Sequence, residues 1–217
     1  MMMMAVSDPS DEVEREFFGA GARYVIGCDE VGRGALAGPV AVGMAVLAAD
    51  CGPYPDGLRD SKLLSEKRRV ELDPLLRDWV LFSAVGLADA HEVDELGIVH
   101  CLGLAGKRAL RLLHDQGADI AASVILLDGN SDYLNPALAS PLDVRTRVKA
   151  DRDCVSVAAA SVIAKVHRDS MMIASDTVSP GYGWSGNKGY GSEVHMEAIK
   201  SLGVTSMHRK SWLVAYA

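Results

Sequence analysis

The segment from Val25 to Leu47, VIGCDEVGRGALAGPVAVGMAVL, contains two adjacent acids, Asp29 and Glu30, in a run that is otherwise nearly all apolar residues or glycine. Short β-branched and apolar runs bounded by glycine are typical of buried strands. The segment therefore predicts two strands, over 24–29 and 39–48, joined by a tight turn. A doubly anionic pair at the end of a core strand needs a reason, because little nearby charge balances it.

Two later apolar segments also run into an acid. SVILL ends at Asp128, and VRTRVKA ends at Asp151, and both are typical of strands. Taken singly, an aspartate at a strand end is more often a turn or cap residue. Several strand ends can converge at one edge of a sheet, however, so the joint pattern favours a functional site there.

Four carboxylates gathered at one edge would repel each other unless cations lay among them. Oxygen ligands suit Mg²⁺ or Mn²⁺, and the sequence has no paired His or Cys that would indicate zinc. Two such ions, about 3.5–4 Å apart, can clamp the attacking and leaving oxygens of a phosphodiester displacement. The pattern therefore predicts a metal-dependent centre for phosphoryl chemistry.

The composition, 49% hydrophobic and 24% charged over 217 residues, is that of a globular protein, and we expect one domain over 1–217. We expect residues 1–20 to fray or form a short helix, and a glycine-rich appendage, helical at its end, over about 180–217. No stretch is long enough to span a bilayer, and the N-terminus is acidic, so we expect no membrane contact and a cytoplasmic location. Four scattered cysteines argue against a disulfide framework.

The net charge of −7 indicates that any nucleic-acid partner must be met by a local basic surface rather than by the overall charge. The remaining pattern predicts a helix from Ser65 that Pro74 breaks or kinks, a long helical region over 89–117, and a helix over 154–175 with small residues that pack on a sheet. We expect Arg168 and Asp169 to belong to an internal salt-bridge network. Strands come first and then alternate with helices, which predicts a mixed sheet flanked by helices.

Several motifs occur in a specific order: GCDEVGRGALAGPV, DSKLLSEKRR, HEVDELGIVH, LLDGN, KADRDCVSVAAASVIAKVHRD, NKGYGSEVH and HRKSW. With them the chain resembles ribonuclease HII, the type 2 ribonuclease H family, from about Tyr24 to Trp212. The resemblance implies a ribonuclease H-like α/β fold with a small C-terminal helical appendage. It also implies a monomeric endonuclease, dependent on Mn²⁺ or Mg²⁺, that hydrolyses the RNA strand of RNA–DNA hybrids. The resemblance further implies that the enzyme cuts at single ribonucleotides embedded in duplex DNA and leaves 5′-phosphate and 3′-hydroxyl ends. It also implies a role in removing such ribonucleotides.

The resemblance also assigns roles to residues. It implies that Asp29, Glu30, Asp128 and Asp151 are the catalytic metal ligands. It places Gly32, Arg33, Gly34 and Tyr190 beside the ribose of the substrate; the alternatives are an ordinary glycine turn and an ordinary loop tyrosine. For Ser61 and Lys62 a phosphate contact stands beside a plain polar turn before a helix.

The chain departs from the family pattern at four positions. Asn187 stands where many relatives have histidine, Ala150 where glycine is common, Gly97 where asparagine is frequent, and Trp212 where phenylalanine is common. Every candidate ligand is in place, so the departures bear on rate, metal preference and the shape of the substrate-reading edge.

Two other functions make different demands on the sequence. A noncatalytic hybrid-binding protein would have a broken set of acids, and this set is whole. A small-molecule phosphoryl-transfer enzyme would carry the GxxxxGK[ST] loop, which the sequence lacks.

Overall fold

The structure is a computed structural model, and it describes residues 8–214. Its centre is one five-stranded sheet with helices packed on both faces. The strands are β1 (Tyr24–Val31), β2 (Val40–Ala48), β3 (Phe82–Ala88), β4 (Ser123–Asp128) and β5 (Asp143–Arg147). The helices are α1 (Glu12–Gly19), α2 (Glu66–Trp79), α3 (Ala90–Leu96), α4 (Ile98–Asp115), α5 (Ala150–Asp153), α6 (Val155–Val178), α7 (Trp184–Asn187) and α8 (Glu193–Leu202).

The strand order is β3-β2-β1-β4-β5, with β1 at the centre. The pairs β1–β2 and β2–β3 are antiparallel, whereas β1–β4 and β4–β5 are parallel, so the predicted mixed sheet is confirmed. The last pair between β1 and β4 joins Cys28 to Leu127, and Asp29 and Asp128 are the next residue of each strand. Because these two neighbours run in the same direction, their acids lie at the same edge of the sheet.

Side chains of β1 alternate between two apolar layers. Ile26 and Cys28 belong to the core cluster that includes Leu102 of α4, on one face. Gly27 lies against α6 on the other face, where an added Cβ atom would stand only 2.1 Å from the carbonyl carbon of Ser156. Glycine is therefore needed at this strand position, because it allows α6 to pack closely on the sheet.

The helices follow the sequence pattern with two differences. Ser65 precedes α2 and its Oγ accepts a hydrogen bond from the Arg68 amide, as a helix cap does. Pro74 lies inside α2 and does not break it, because Leu72 and Leu76 of the same helix are fully buried and hold it against the core. The long helical region is divided at Gly97, whose positive φ of 78° separates α3 from α4.

The N-terminal segment forms a short helix, α1, over Glu12–Gly19, rather than fraying throughout. Residues 1–7 of the segment expected to fray lie outside the described residues. Glu14 of this helix is buried, and its Oε1 accepts hydrogen bonds from the amide and the hydroxyl of Ser156. The contact ties α1 to the first turn of α6.

The C-terminal segment packs on the end of α6 and forms its own apolar cluster. Trp184 of α7 and Ile199 of α8 are buried there with Tyr182 and Met172. None of the helices in residues 8–214 has the length and apolar content that crossing a bilayer requires. All four cysteines lie in the described part of the chain and are free thiols.

Candidate active site

A cleft of about 350 Å³ opens at the edge of the sheet where β1 ends. It brings together nine of the ten site residues predicted from the sequence, and Asp151 adjoins it through Lys62. Its lining residues are Asp29, Glu30, Val31, Gly32, Arg33, Gly34, Ser61, Lys62, Asp128, Ser161, Lys165 and Tyr190.

Asp29 and Glu30 are consecutive residues near the end of β1, and both line the cleft. Asp29 is almost fully buried, while Glu30 is partly exposed. Burial raises the pKa of Asp29 well above its usual range, and the charges of Glu30 and Asp128 add to this, against a hydrogen bond with Ser161 and the charge of Lys62. Burial also raises the pKa of Glu30, although the Arg33 guanidinium acts in the opposite direction.

Asp128 ends β4 and caps the short helix α5. Its Oδ1 accepts hydrogen bonds from the amides of Ala150, at 2.7 Å, and Asp151, at 3.4 Å. Burial raises the pKa of Asp128, and the charge of Asp151 contributes in the same direction. Asp128 therefore fixes the helix that carries another of the predicted acids.

Asp151 does not end a strand, which corrects the sequence prediction for its position. β5 stops at Arg147, and Lys149 adopts a left-handed conformation with φ of 63° that starts α5. The chain leaves the sheet there because Asp128 binds the free amides of that turn. Asp151 is 4% exposed and its Oδ2 lies 2.9 Å from the Lys62 ammonium nitrogen.

Lys62 and Ser61 lie in a short turn before α2, and the two residues differ in their surroundings. Ser61 is buried, and its Oγ lies 2.9 Å from Oγ of Ser161, at hydrogen-bond distance. Lys62 is largely exposed; burial works to lower its pKa, but the hydrogen bond to Asp151 and the charges of nearby acids outweigh burial and raise it. Lys62 is thus a charged ammonium group at the cleft, whereas the Ser61 hydroxyl is buried against Ser161 of α6.

The segment Gly32-Arg33-Gly34 is held from below by two buried arginines. The Arg209 guanidinium donates to the carbonyls of Arg33 and Gly32, at 2.8 and 2.7 Å. Gly32 has a φ of 81°, and an added Cβ atom would stand 2.1 Å from Nε of Arg168, so no other residue fits this position. An added Cβ atom at Gly34 would meet no atom within 4 Å, which leaves space over the cleft for a ligand.

Tyr190 also lines the cleft, and the residue is 38% exposed. The Arg168 guanidinium carbon lies 5.5 Å from the centre of the ring, a cation–π distance. The Tyr190 carbonyl faces the other way and lies 2.9 Å from Nδ1 of His195. The ring is therefore supported by one buried residue and the backbone by another.

Sequence reasoning missed three residues that build the site: Ser161, Arg168 and Arg209. The salt bridge expected for Arg168 is wrong, because this side chain is fully buried and donates to the carbonyls of Pro39, Lys188 and Ala37. Ser161 had a detectable signal, since it falls on the polar side of an otherwise apolar helix. Arg209 lies in the HRKSW motif, but no local pattern indicates its partners, which lie more than 170 residues away.

The expected network around Asp169 does form, but with other partners. The Lys165 ammonium lies 2.6 Å from Asp169, and the Arg69 guanidinium lies 3.8 Å from it. Lys165 lines the cleft with its charge already paired. The salt bridge with Asp169 therefore holds the Lys165 side chain in place at the wall of the cleft.

The donor set fits a hard divalent cation. Within residues 8–214 no group of three or more His, Cys, Asp or Glu side chains is arranged to hold a metal ion, and Asp151 and Glu30 are instead paired with Lys62 and Arg33. Asp29, Glu30 and Asp128 nevertheless present only carboxylate oxygens to one cleft, as Mg²⁺ and Mn²⁺ prefer. Burial is the largest cause of the raised pKa of each of these three carboxyl groups, and the charge of a neighbouring acid acts in the same direction.

Comparison with known proteins gives a consistent result. The family model described as Ribonuclease HII matches residues 26–215. A ribonuclease HII of Streptomyces griseus is 46% identical over 213 residues, which cover 96% of this chain and 86% of the relative. The crystal structure of ribonuclease H2 from Pyrococcus horikoshii superimposes with a TM-score of 0.69 at 28% identity, covering 87% of this chain and 93% of that one. Bst-RNase HIII, whose structure is a complex with Mn²⁺, shares the fold with a TM-score of 0.67 at 24% identity, over 87% of this chain and 67% of its own.

Proposed function

Because this chain belongs to the ribonuclease HII family and is therefore a ribonuclease H endonuclease, we propose that it cuts at single ribonucleotides embedded in duplex DNA as well as in RNA–DNA hybrids. The reaction is a divalent-metal hydrolysis by a two-metal mechanism that leaves 5′-phosphate and 3′-hydroxyl ends. The enzyme works as a monomer in the cytoplasm, through one ribonuclease H-like domain, and serves to remove ribonucleotides from DNA.

One observation carries the proposal: Asp29, Glu30 and Asp128 line the same cleft as Gly34 and Tyr190. A cleft that combines hard anionic donors with an open backbone segment and an exposed aromatic ring suits a phosphodiester next to a sugar. The acids would lie at the scissile phosphate, and the glycine segment and the ring at the ribose.

The residues that would hold the ions are Asp29, Glu30, Asp128 and Asp151. When bound, Mg²⁺ or Mn²⁺ supplies charge stabilisation for the phosphorane-like transition state and a more acidic water. Lys62 bears a charged ammonium beside Asp151, where it can bind a phosphate oxygen of the substrate. Arg33, exposed and 3.5 Å from Glu30, can reach a neighbouring phosphate.

Recognition of the ribose depends on the 2′-hydroxyl, because this group is the local difference between RNA and DNA that a protein can touch. Gly34 leaves room for a sugar to approach the backbone. The Tyr190 ring can stack on the sugar, and its hydroxyl can hydrogen-bond to the substrate. The support from Arg168 keeps the ring in place without a substrate.

Cleavage of three matched duplexes tests the proposal. The first is DNA with a single ribonucleotide, the second is a long RNA–DNA hybrid, and the third is DNA alone. We expect Mg²⁺- or Mn²⁺-dependent cleavage of the first two and none of the third. Ligation of the products should show that they carry a 5′-phosphate. Cleavage of the hybrid alone would refute the single-ribonucleotide specificity. Cleavage that persists in EDTA would refute the metal mechanism.

A further inference from the structure

Two buried histidines behind Tyr190 form a hydrogen-bonded chain. Nδ1 of His208 lies 2.9 Å from the Thr205 amide, Nε2 of His208 lies 3.1 Å from Nε2 of His195, and Nδ1 of His195 lies 2.9 Å from the Tyr190 carbonyl. The indole nitrogen of Trp184 also lies 3.1 Å from Nε2 of His195. The chain thus runs from the C-terminal segment to the backbone of the cleft.

The partners fix the tautomer of each ring. The Thr205 amide can only donate, so Nδ1 of His208 has no proton and the proton of the neutral ring lies on Nε2. The Trp184 indole N–H can also only donate, so Nε2 of His195 has no proton and the proton of that ring lies on Nδ1. These two independent assignments agree at their meeting point, where the N–H groups of His208 and Trp184 share the single lone pair of His195 Nε2.

The surroundings keep both rings neutral. His195 is 0% exposed and His208 is 1% exposed, and Tyr182 and Trp184 pack on them. Burial lowers the pKa of His195 below its usual value, which is consistent with a neutral ring. A neutral pair with opposite tautomers carries one donor, the Nδ1–H of His195, toward the Tyr190 carbonyl.

The Nδ1–H group of His195 binds a part of the backbone that other hydrogen bonds also hold. The Tyr190 carbonyl also accepts from the Ser192 amide at 2.8 Å, and the adjacent Gly189 carbonyl accepts from the amides of Leu36 and Ala37. The loop is therefore held on both sides of the Tyr190 Cα, while the side chain remains free to meet a ligand in the cleft.

We propose that His195 and His208 are positioning residues for Tyr190: their fixed tautomers set the Tyr190 carbonyl, and with it the direction of the ring over the cleft. The inference rests on the proposed function, in which Tyr190 reads the ribose. The histidines touch neither substrate nor metal; they act through the backbone of Tyr190.

The tautomers can be measured directly. ¹⁵N NMR of the labelled, folded protein at neutral pH should show His195 protonated at Nδ1 and His208 protonated at Nε2. A His195 ring protonated at Nε2, or a His208 ring protonated at Nδ1, would overturn the proposal whatever the enzyme's activity.

Kinetics test the link to substrate reading. His195→Leu removes the donor, whereas His195→Asn keeps an amide N–H close to the place of Nδ1. We expect His195→Leu to lower kcat/KM on a single ribonucleotide about tenfold more than on a long hybrid, and His195→Asn to restore most of the ratio. Leu213→Ala, which opens the same apolar cluster, is the control for lost stability and should leave the ratio unchanged.

The double variant His195→Leu with Tyr190→Ala distinguishes positioning from a general structural role. If His195 acts through Tyr190, adding His195→Leu to Tyr190→Ala leaves the substrate ratio unchanged. An additional tenfold shift in that background would overturn the inference alone. A Tyr190→Ala variant with a wild-type ratio would overturn the reading role as well, and Mg²⁺-dependent cleavage would still report the activity itself.

Discussion

The ammonium nitrogen of Lys62 lies 2.9 Å from Oδ2 of Asp151, so a protein cation neutralises one of the acids predicted to bind metal. The hydrogen bond to Asp151 helps to keep the pKa of Lys62 raised, against the partial desolvation of the ammonium group. A divalent ion that binds Asp151 must share this carboxylate with Lys62. A substitution of Lys62 can therefore change metal binding and cleavage without removing any of the acids.

Replacing Lys62 by Met should have opposite effects on metal binding and on cleavage. Loss of the ammonium removes a repulsion, so affinity for Mn²⁺ in the absence of nucleic acid should rise about two- to fivefold, a modest gain because the side chain is largely exposed. Cleavage should fall if Lys62 binds a phosphate. Isothermal titration and single-turnover cleavage measure the two quantities. Lys67→Met, on the exposed side of α2, is the matched control, and a lower Mn²⁺ affinity for Lys62→Met would contradict the expectation.

Replacing Asp128 by Asn should reduce cleavage by about 100-fold or more, because a metal-held transition state loses several kcal/mol when an anionic ligand is lost. The shape of the side chain is nearly kept, so the fold should survive, as circular dichroism can check. Asp115→Asn, on the exposed surface of α4, controls for loss of charge alone. A rate near that of the wild type for Asp128→Asn would remove Asp128 from the ligand set.

Replacing Asp29 by Asn should stabilise the metal-free protein. Burial and the neighbouring acids raise the pKa of Asp29, so its charged form opposes folding above that pKa. In EDTA at pH 8 the Tm should rise by about 2–4 °C for a gain of about 1 kcal/mol. The gain should shrink as pH falls and wild-type Asp29 takes up its proton. An unchanged or lower Tm at pH 8 would contradict a destabilising buried charge on Asp29.

Tyr190→Phe should lose about five- to tenfold of the cleavage at an isolated ribonucleotide, the value of one hydrogen bond, and Tyr190→Ala most of it. A long hybrid offers neighbouring hydroxyls and should suffer less. Mn²⁺ affinity should be unchanged in both variants, since Tyr190 is not among the candidate metal ligands. Equal losses on the two substrates would show that Tyr190 does not distinguish RNA from DNA.

The stability of the fold should depend on His208 at mildly acidic pH. Burial lowers the pKa of His208 from 6.5 to about 4, and the charge of Lys210 acts in the same direction. The unfolded chain therefore binds a proton at His208 more readily than the folded protein does. The free energy of unfolding is therefore unaffected by His208 above pH 6.5 and decreases as pH falls from 6.5 toward 4. Urea unfolding between pH 7 and 4.5 should show a flatter pH dependence for His208→Gln than for the wild type. His114→Gln, on α4, should keep the wild-type slope.

The sequence by itself determined β1 and β4 and the acids at their ends. Apolar runs around Gly27 and before Asp128 specify buried strands through local pattern alone, and a parallel pair of such strands must bring its carboxyl ends to one edge. The order of the motifs also identified the family. These features could be predicted because each depends on residues close together in the chain, read against the period of a strand or a helix.

The tertiary structure alone decided the position of Asp151 and the supports of the cleft. Asp151 leaves the predicted strand because the Asp128 side chain, more than 20 residues away, binds the amides of its turn. Arg168 and Arg209 bind carbonyls rather than carboxylates because the surrounding loops bury them where backbone oxygens need donors. Such partners are chosen by burial and by contacts between distant segments, and no local pattern in the sequence records which distant atoms will meet.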